Sequence, residues 1–147
     1  WIAATGEDGK DLFDPSLDKR EGHYNQYRAG DINALHISYF RRNKYIKEVN
    51  FQIVALRKST VDDRGPRMAQ GADPIPDTRY ANKPYRMEVI KYGPYFRLSI
   101  NDLTVLEWTD DGKDAPILKD GKIGFRQMRG LIADYSNLEV RRIEGRK

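Results

Sequence analysis

The sequence contains no cysteine, and this absence excludes three kinds of chemistry. Without thiols the chain makes no disulfides, offers no thiolate ligands to a metal, and has no cysteine nucleophile. Histidine is nearly as scarce, because only His23 and His36 occur among the 147 residues. No apolar run approaches the roughly 20 residues that a helix needs to span a bilayer. Any catalytic or ligand-binding role in this chain must therefore use side chains other than cysteine, with at most two histidines among them.

Several catalytic motifs are also missing. Neither the G-x-S-x-G elbow of serine hydrolases nor the G-x-x-x-x-G-K phosphate loop occurs. Retaining glycosidases need two carboxylates about 5 to 5.5 Å apart, and laminarinase-like sandwiches place them on an E-x-D-x-x-E strand that is absent here. The nearest approximations, Glu7-Asp8 and Glu107 with Asp110, have a different spacing and lie at predicted turns. We therefore do not expect a two-carboxylate mechanism within this chain.

The charge is mildly basic, with 26 Lys and Arg against 22 Asp and Glu and a net charge of +4. This excess either serves solubility alone or points to an anionic partner. Nucleic acid is not favoured, because no helix-turn-helix, zinc-finger or RNA-recognition signature occurs and the basic residues are spread through predicted strands. An acidic polysaccharide would match the same charge with a sheet face.

What the sequence does contain is a β pattern that continues from Tyr85 almost to its end. Apolar and polar residues alternate in five segments, and short turn signals rich in Gly, Pro, Asn and Asp separate most of them. The segments are YRMEVIK (85–91), YFRLSIN (95–101), LTVLEW (103–108), KIGFRQM (122–128) and ADYSNLEVRRI (133–143). Closely spaced strands without intervening helices predict an all-β sandwich or barrel, here as a single domain over residues 1–147.

The N-terminal half adds two long predicted strands, DINALHISYFRR (31–42) and VNFQIVALRKS (49–59), both rich in β-branched and aromatic residues. WIAAT at the start has the composition of a strand interior, so we expect further N-terminal strands to belong to the complete sandwich. Residues 60–84 carry four prolines and no periodicity, which predicts a long functional or mobile loop.

Acidic residues recur at every third position of a turn-rich segment, at Asp8, Asp11 and Asp14. Their oxygens suit calcium, a hard cation that takes several carboxylates and carbonyls. The spacing differs from that of an EF-hand loop, which has ligands at alternate positions and a closing glutamate at the twelfth. We therefore interpret these residues as solvated turn acids and predict no cofactor, with a structural calcium unsupported.

Strand parity separates a core face from an outer face. The side chains predicted to point inward are Leu35, Ile37, Tyr39, Tyr85, Met87, Val89, Phe96, Leu98, Ile100, Ile123 and Phe125. The side chains predicted to be solvent-accessible include His36, Ser38, Arg42, Arg86, Tyr95, Arg97 and Arg126. This outer face is either an ordinary solvated surface or a binding face with a row of arginines.

β-Elimination from a uronic acid polymer is the reaction that these side chains match best. It needs a cation to neutralise the carboxylate, a base to remove the C5 proton, and an acid to protonate the leaving oxygen. His36 at a strand centre can act as the base, and Tyr24 or Tyr27 as the acid. Alternatively, His36 packs among tyrosines and hydrogen-bonds a neighbouring serine, with no catalytic role.

Three stretches closely resemble a bacterial domain family of unknown function that is best labelled YesU-like. They are GHYNQYRAGDINALHISYFRR (22–42), PYRMEVIKYGPYFRLSINDLTVLEWTDDG (84–112) and GKIGFRQMRGLIADYSNLEV (121–140). The resemblance implies a concanavalin A-like jelly roll, in which family members begin with several further strands. It also implies an association with the degradation of pectin-type polysaccharides, and it carries over no catalytic residues.

We therefore predict a carbohydrate-active jelly roll that acts on or recognises an acidic, uronic-acid-containing polysaccharide. As an enzyme it would be a polysaccharide lyase, with a glycoside hydrolase less favoured, and Arg42 and Arg126 would neutralise carboxylates. As a non-catalytic glycan-binding module it would stack Tyr95 on sugar rings and select anionic chains with its arginines, including Arg86 and Arg97. A structural or adhesion domain without a glycan site is the third alternative. The expected location is secreted or periplasmic, without a nucleic acid or membrane partner.

Overall fold

The structure is a computed structural model. It describes residues 1–42, 52–61, 65–71, 81–127 and 132–144, without the side chains of residues 41, 42 and 52. Within these ranges the fold consists of seven antiparallel strands. They are β1 (Ile2–Gly6), β2 (Ile32–Arg42), β3 (Gln52–Ser59), β4 (Arg67–Gln70), β5 (Met87–Tyr92), β6 (Tyr95–Ile100) and β7 (Leu103–Thr109). One sheet has the order β1-β2-β3-β4 and the other the order β5-β6-β7. Two short 3-10 turns, Glu7–Gly9 and Tyr24–Tyr27, lie between β1 and β2. No helix in the described ranges is long and apolar enough to cross a membrane.

The second sheet forms where the sequence places its tightest turns. Tyr92 pairs with Tyr95 across Gly93-Pro94, and Ile100 pairs with Leu103 across Asn101-Asp102. Gly93, Asn101 and Asp102 all have positive φ angles, of 53°, 50° and 68°. Two-residue hairpin loops need such angles, which glycine, asparagine and aspartate adopt at least cost. The predicted strands from Tyr85 to Trp108 are confirmed.

The core lies between the two sheets, where β3 and β4 contact β7. Its buried residues, all less than 5% exposed, are Leu35, Val54, Leu56, Phe96, Leu98, Ile100 and Leu106. Parity therefore assigned the inward face of β6 correctly, and Ile37, Tyr39, Tyr85 and Met87 also pack against this core. The all-β sandwich prediction is confirmed.

Part of the segment predicted as a long loop over 60–84 is a strand, since Arg67–Gln70 forms β4 and pairs with β3. The open edge of β3 offers unpaired backbone groups, and pairing satisfies them even where the sequence has no clear periodicity. The Gly71 amide then donates to the Val54 carbonyl at 3.1 Å. A β-carbon at Gly71 would lie 2.5 Å from the Val105 carbonyl oxygen, so only glycine permits this approach to β7. Residues 62–64 and 72–80 lie outside the described residues.

The two strands predicted after residue 121 are not regular strands. Residues 122–124 run beside β1 through backbone bonds of Lys122 to Ala4 and of Gly124 to Trp1, but Ala3, with φ of 50°, interrupts the ladder. Residues 132–144 belong to no strand and pair with none of the strands among the described residues. Alternation does not suffice for a strand, because a ladder also needs a partner.

The inward prediction for Ile123 and Phe125 is wrong, since these side chains are 47% and 52% exposed. Val89, predicted inward as well, is 37% exposed. Among the described residues, neither Ile123 nor Phe125 belongs to a strand of either sheet. Parity assigns a side chain to a face, but burial requires a second layer over that face.

A buried ion pair joins the sheets at one end of the core. Lys58 projects inward from β3, and its Nζ lies 2.7 Å from Oδ2 of Asp110, which follows β7. Lys58 Nζ also donates to the Ala115 carbonyl at 2.6 Å, and Asp110 Oδ1 accepts from the Gly112 amide at 3.0 Å. The two side chains are only 2% and 6% exposed, so each charge needs the other. Burial also lowers the pKa of nearby Lys91, while the Asp110 charge partly opposes that shift.

We predict that Lys58→Met destabilises the fold by about 3–5 kcal/mol, because it leaves the Asp110 charge buried without its partner. Adding Asp110→Asn should restore much of this loss, since the amide is neutral and can still accept from Gly112. Urea unfolding of the two variants measures both steps. The control is Lys113→Ala, which removes a pair with Asp111 whose side chains are 81% and 58% exposed. A loss for Lys58→Met no larger than that of the control would contradict a stabilising role for the buried pair.

Candidate functional site

A short turn before β2 presents two tyrosines side by side. Residues Tyr24–Tyr27 form a 3-10 turn, in which side chains three apart eclipse one another. Gln26 anchors the turn, because its Oε1 accepts from the backbone amides of Glu21 at 3.0 Å and His23 at 3.2 Å. Tyr24 and Tyr27 therefore point the same way, toward the outer face of the first sheet.

The two tyrosines meet a stacked pair of rings on that face. Trp1 stacks on His36 with ring centroids 4.7 Å apart and planes inclined by 15°. The ring centroid of Tyr24 lies 5.7 Å from that of His36, and the ring centroid of Tyr27 lies 5.2 Å from that of Trp1. Separations of this size place the four rings in a continuous series of contacts, in the order Tyr27, Trp1, His36 and Tyr24.

Arg126 completes the group from the other end of the chain. Its guanidinium lies 5.4 Å from the Tyr24 ring centre and 5.9 Å from that of Tyr27, which are cation–π distances. Its Nη2 donates to the Gly22 carbonyl at 3.0 Å. We call Trp1, Tyr24, Tyr27, His36 and Arg126 the aromatic–arginine cluster. The cluster combines flat apolar ring faces with a guanidinium, a cation whose donors suit bidentate hydrogen bonding to a carboxylate.

Four of the candidate residues from the sequence thus lie together: Tyr24, Tyr27, His36 and Arg126. One expectation about them is wrong, since His36 is only 9% exposed and does not face open solvent. The neighbouring rings cover it, as the alternative of a packed histidine anticipated. Tyr39 lies on the opposite face against the core, and burial together with a 2.9 Å bond to the Tyr135 hydroxyl raises its pKa.

Three other candidates, Arg86, Tyr95 and Arg97, are not part of this cluster. They belong to the region of β5 and β6 in the second sheet, where each contacts an acidic side chain. Arg97 pairs with Glu88 at 3.1 Å, and Arg86 pairs with Asp102. The Tyr95 hydroxyl donates to Glu107 at 2.5 Å, and this bond raises the pKa of Tyr95. The arginines that parity assigned to outer faces therefore do not lie together, because Arg97 is in the second sheet whereas Arg126 lies against Tyr24 and Tyr27.

Arg42 pairs with Gln52 through the backbone at the end of β2, but its side chain lies outside the described residues. Trp1 is the member of the cluster that sequence reasoning missed. The signal for it was present, because alternation in WIAAT puts Trp1 on the face opposite Ile2, and Ile2 packs against the core. The pairing of Ile2 with Leu35, which brings Trp1 beside His36, is not readable from either strand alone.

Two surface clefts of about 440 Å³ lie elsewhere, one around Arg20 and Asp31 and one around Lys10 and Lys122. Neither is lined by the cluster, which is a surface of rings and not a cavity. Within the described ranges, no three His, Asp or Glu side chains come together as they would around a metal ion. Asp11 pairs with Lys122 and accepts from the Phe13 amide, and these contacts lower the pKa of Asp11.

Comparison with known proteins identifies both a family and a fold. Residues 1–140 match the family described as a domain of unknown function, DUF1961. The uncharacterized protein YesU of Bacillus subtilis (strain 168) is 53% identical over 142 residues, which are 95% of this chain and 62% of that protein.

A crystal structure from Bacillus subtilis, described as a protein of unknown function with a galectin-like fold, superposes with a TM-score of 0.71 at 52% identity. The match covers 82% of this chain and 53% of that one. The chain therefore spans between about half and two thirds of the length of these relatives. The galectin-like fold is a jelly-roll sandwich, so the jelly-roll prediction and the YesU-like resemblance are confirmed.

We predict that Gly121→Ala disturbs the cluster from a distance, through the segment that carries Arg126. Gly121 has φ of 134°, and a β-carbon there would lie 2.5 Å from the Ala4 carbonyl oxygen. The substitution should push residues 122–124 away from β1. Hydrogen exchange at the amides of Ala4 and Lys122 should accelerate, and the urea midpoint should fall.

The matched control for this prediction is Gly93→Ala, where φ is also positive, at 53°, but nothing lies within 4 Å of the added carbon. It should cost about 1–2 kcal/mol of backbone strain alone. Equal losses for the two variants, with unchanged exchange at Ala4, would contradict a close contact between Gly121 and β1.

Proposed function

Since the chain belongs to the DUF1961 family of domains of unknown function, we propose its role from its own geometry: it recognises an acidic, uronic-acid-containing polysaccharide at the aromatic–arginine cluster. The observation that carries this proposal is the position of the Arg126 guanidinium, within 6 Å of the rings of both Tyr24 and Tyr27.

The chemistry of the cluster suits a charged sugar. The carbon–hydrogen face of a pyranose ring is apolar and releases water when it covers an aromatic ring. Tyr24 and Tyr27 are half-buried, so part of each residue is accessible. A uronic acid adds a carboxylate to the same ring, and the planar guanidinium of Arg126 matches that group with two parallel hydrogen bonds.

The fold gives this proposal secondary support. Jelly-roll sandwiches present broad sheet faces, and the galectin-like neighbour shares this architecture. A fold does not determine a function, however, and the support for recognition comes from the residues of the cluster.

A lyase reaction at the same place is the second candidate, and the proximity of Tyr24 to His36 favours it. With ring centres 5.7 Å apart, a phenol and an imidazole lie on the scale of an acid–base pair around one sugar unit. A general base must come within about 2.6–3.2 Å of the proton it removes. His36 is 9% exposed beneath Trp1, so substrate would have to displace a ring to reach it. The geometry therefore supports recognition better than catalysis.

We predict that the full chain binds polygalacturonate and that Arg126→Ala weakens this binding at least tenfold. A hydrogen bond to a charged group contributes about 1.5–3 kcal/mol, and about 1.4 kcal/mol is tenfold in affinity. Isothermal titration against acidic and neutral polysaccharides measures the effect. The control is Arg141→Ala, which removes a guanidinium that is 78% exposed and paired with Glu139 outside the cluster.

The same incubations separate the remaining alternatives. Growth of ultraviolet absorbance from unsaturated products, lost in His36→Gln with affinity retained, would establish the lyase. New reducing ends without that absorbance would indicate hydrolysis. Binding of neutral and acidic polymers alike would contradict selection by charge. Retention of no polysaccharide would leave a structural or adhesion domain and would overturn the proposal.

A further inference from the structure

A line of basic residues crosses the first sheet at the level of the cluster. His36 in β2 is the direct partner of Arg57 in β3. Side chains of directly paired residues in antiparallel strands lie on the same face. Arg57 is opposite Arg67 in β4 at a register shift, and Arg67 shares the face of Arg57 because it contacts Gln70, whose partner Ala55 alternates onto that face. The inward residues of β3 include Val54 and Leu56, so Arg57 belongs to the outer face, as His36 does. We call His36, Arg57 and Arg67 the transverse row.

The spacing of the transverse row is set by the sheet itself. Neighbouring strands lie about 4.8 Å apart, so the row presents one basic side chain per strand, perpendicular to the chain direction. This interval is on the scale of a single sugar unit. The row starts at the aromatic–arginine cluster, because His36 belongs to both.

Accessibility increases along the row away from the cluster. His36 is buried, Arg57 is half-buried and Arg67 is exposed. Arg57 Nη1 donates to the Gly65 carbonyl at 3.2 Å, and Arg67 Nη1 donates to Gln70 Oε1 at 2.6 Å. These bonds fix where the guanidiniums point. A guanidinium has five N–H donors, so one internal bond leaves Arg67 with donors for an anion.

Building on the proposed function, we propose that the polysaccharide lies across the strands along the transverse row, and that Arg57 and Arg67 select chains with a negative charge on successive sugar units. The first unit occupies the aromatic–arginine cluster, and the following units extend over β3 and β4. The ligand class is thus a polyuronate of at least three units, and single uronic acids bind at the cluster alone.

The test is isothermal titration of the full chain with oligogalacturonates of one to four units. Affinity should rise about tenfold or more between the dimer and the tetramer, because each added carboxylate gains a charge-assisted bond. Arg67→Gln should abolish this gain while leaving the affinity for the monomer and dimer unchanged.

Two controls isolate the charge and the position. Fully methyl-esterified oligomers keep the sugar backbone without its charge and should show no gain with length. Arg141→Gln removes an exposed guanidinium elsewhere and should keep the full gain.

An undiminished gain with length in Arg67→Gln would overturn the transverse placement while leaving the proposed function intact. Tighter binding of a single-stranded oligodeoxynucleotide than of the tetramer at equal ionic strength would overturn the sugar as the partner. No binding of any oligomer by the parent chain would overturn the proposed function and this inference together.

Discussion

The buried ion pair between Lys58 and Asp110 determines how the two sheets meet. Apolar contacts across the core are non-directional and would tolerate some sliding of one sheet over the other. The ion pair does not, because Lys58 Nζ must reach both a carboxylate and the Ala115 carbonyl, and Asp110 must also reach the Gly112 amide. Each charge would be costly in isolation. We infer that this constraint selects one arrangement of the sheets and so fixes the outer face on which the cluster forms.

A strand could be predicted from the sequence when its pairing partner was the next strand along the chain. Strands β5 to β7 follow each other through two-residue turns, so alternation and turn chemistry were sufficient to predict them. Residues 122–127 and 132–144 alternate equally well, yet they form no regular strands in the structure, because a ladder depends on residues far away in the sequence. The strand β4 was missed for the converse reason. Its four residues show no alternation of apolar and polar side chains, and they form a strand because they pair with the open edge of β3.

The candidate site was predictable in its local part only. Tyr24, Tyr27 and His36 lie within 13 residues, and turn and strand periodicity place them near one another. Parity assigns a side chain to a face but not to a sheet, and for this reason Arg97 was grouped with residues it does not meet. Register between strands is not encoded in any one of them, so the alignment of His36 with Arg57 required the structure.

The hydrogen bond from Arg126 to the Gly22 carbonyl spans 104 positions of sequence, and this separation has a kinetic consequence. Closing so long a loop costs chain entropy before any contact offsets it, whereas the hairpins of the second sheet can form locally. We therefore expect the cluster to be among the last parts of the molecule to assemble. During synthesis it stays incomplete until Arg126 has left the ribosome. A ligand that contacts both Tyr24 and Arg126 would bind only when the N-terminal and C-terminal segments are together, and would therefore slow their dissociation during unfolding.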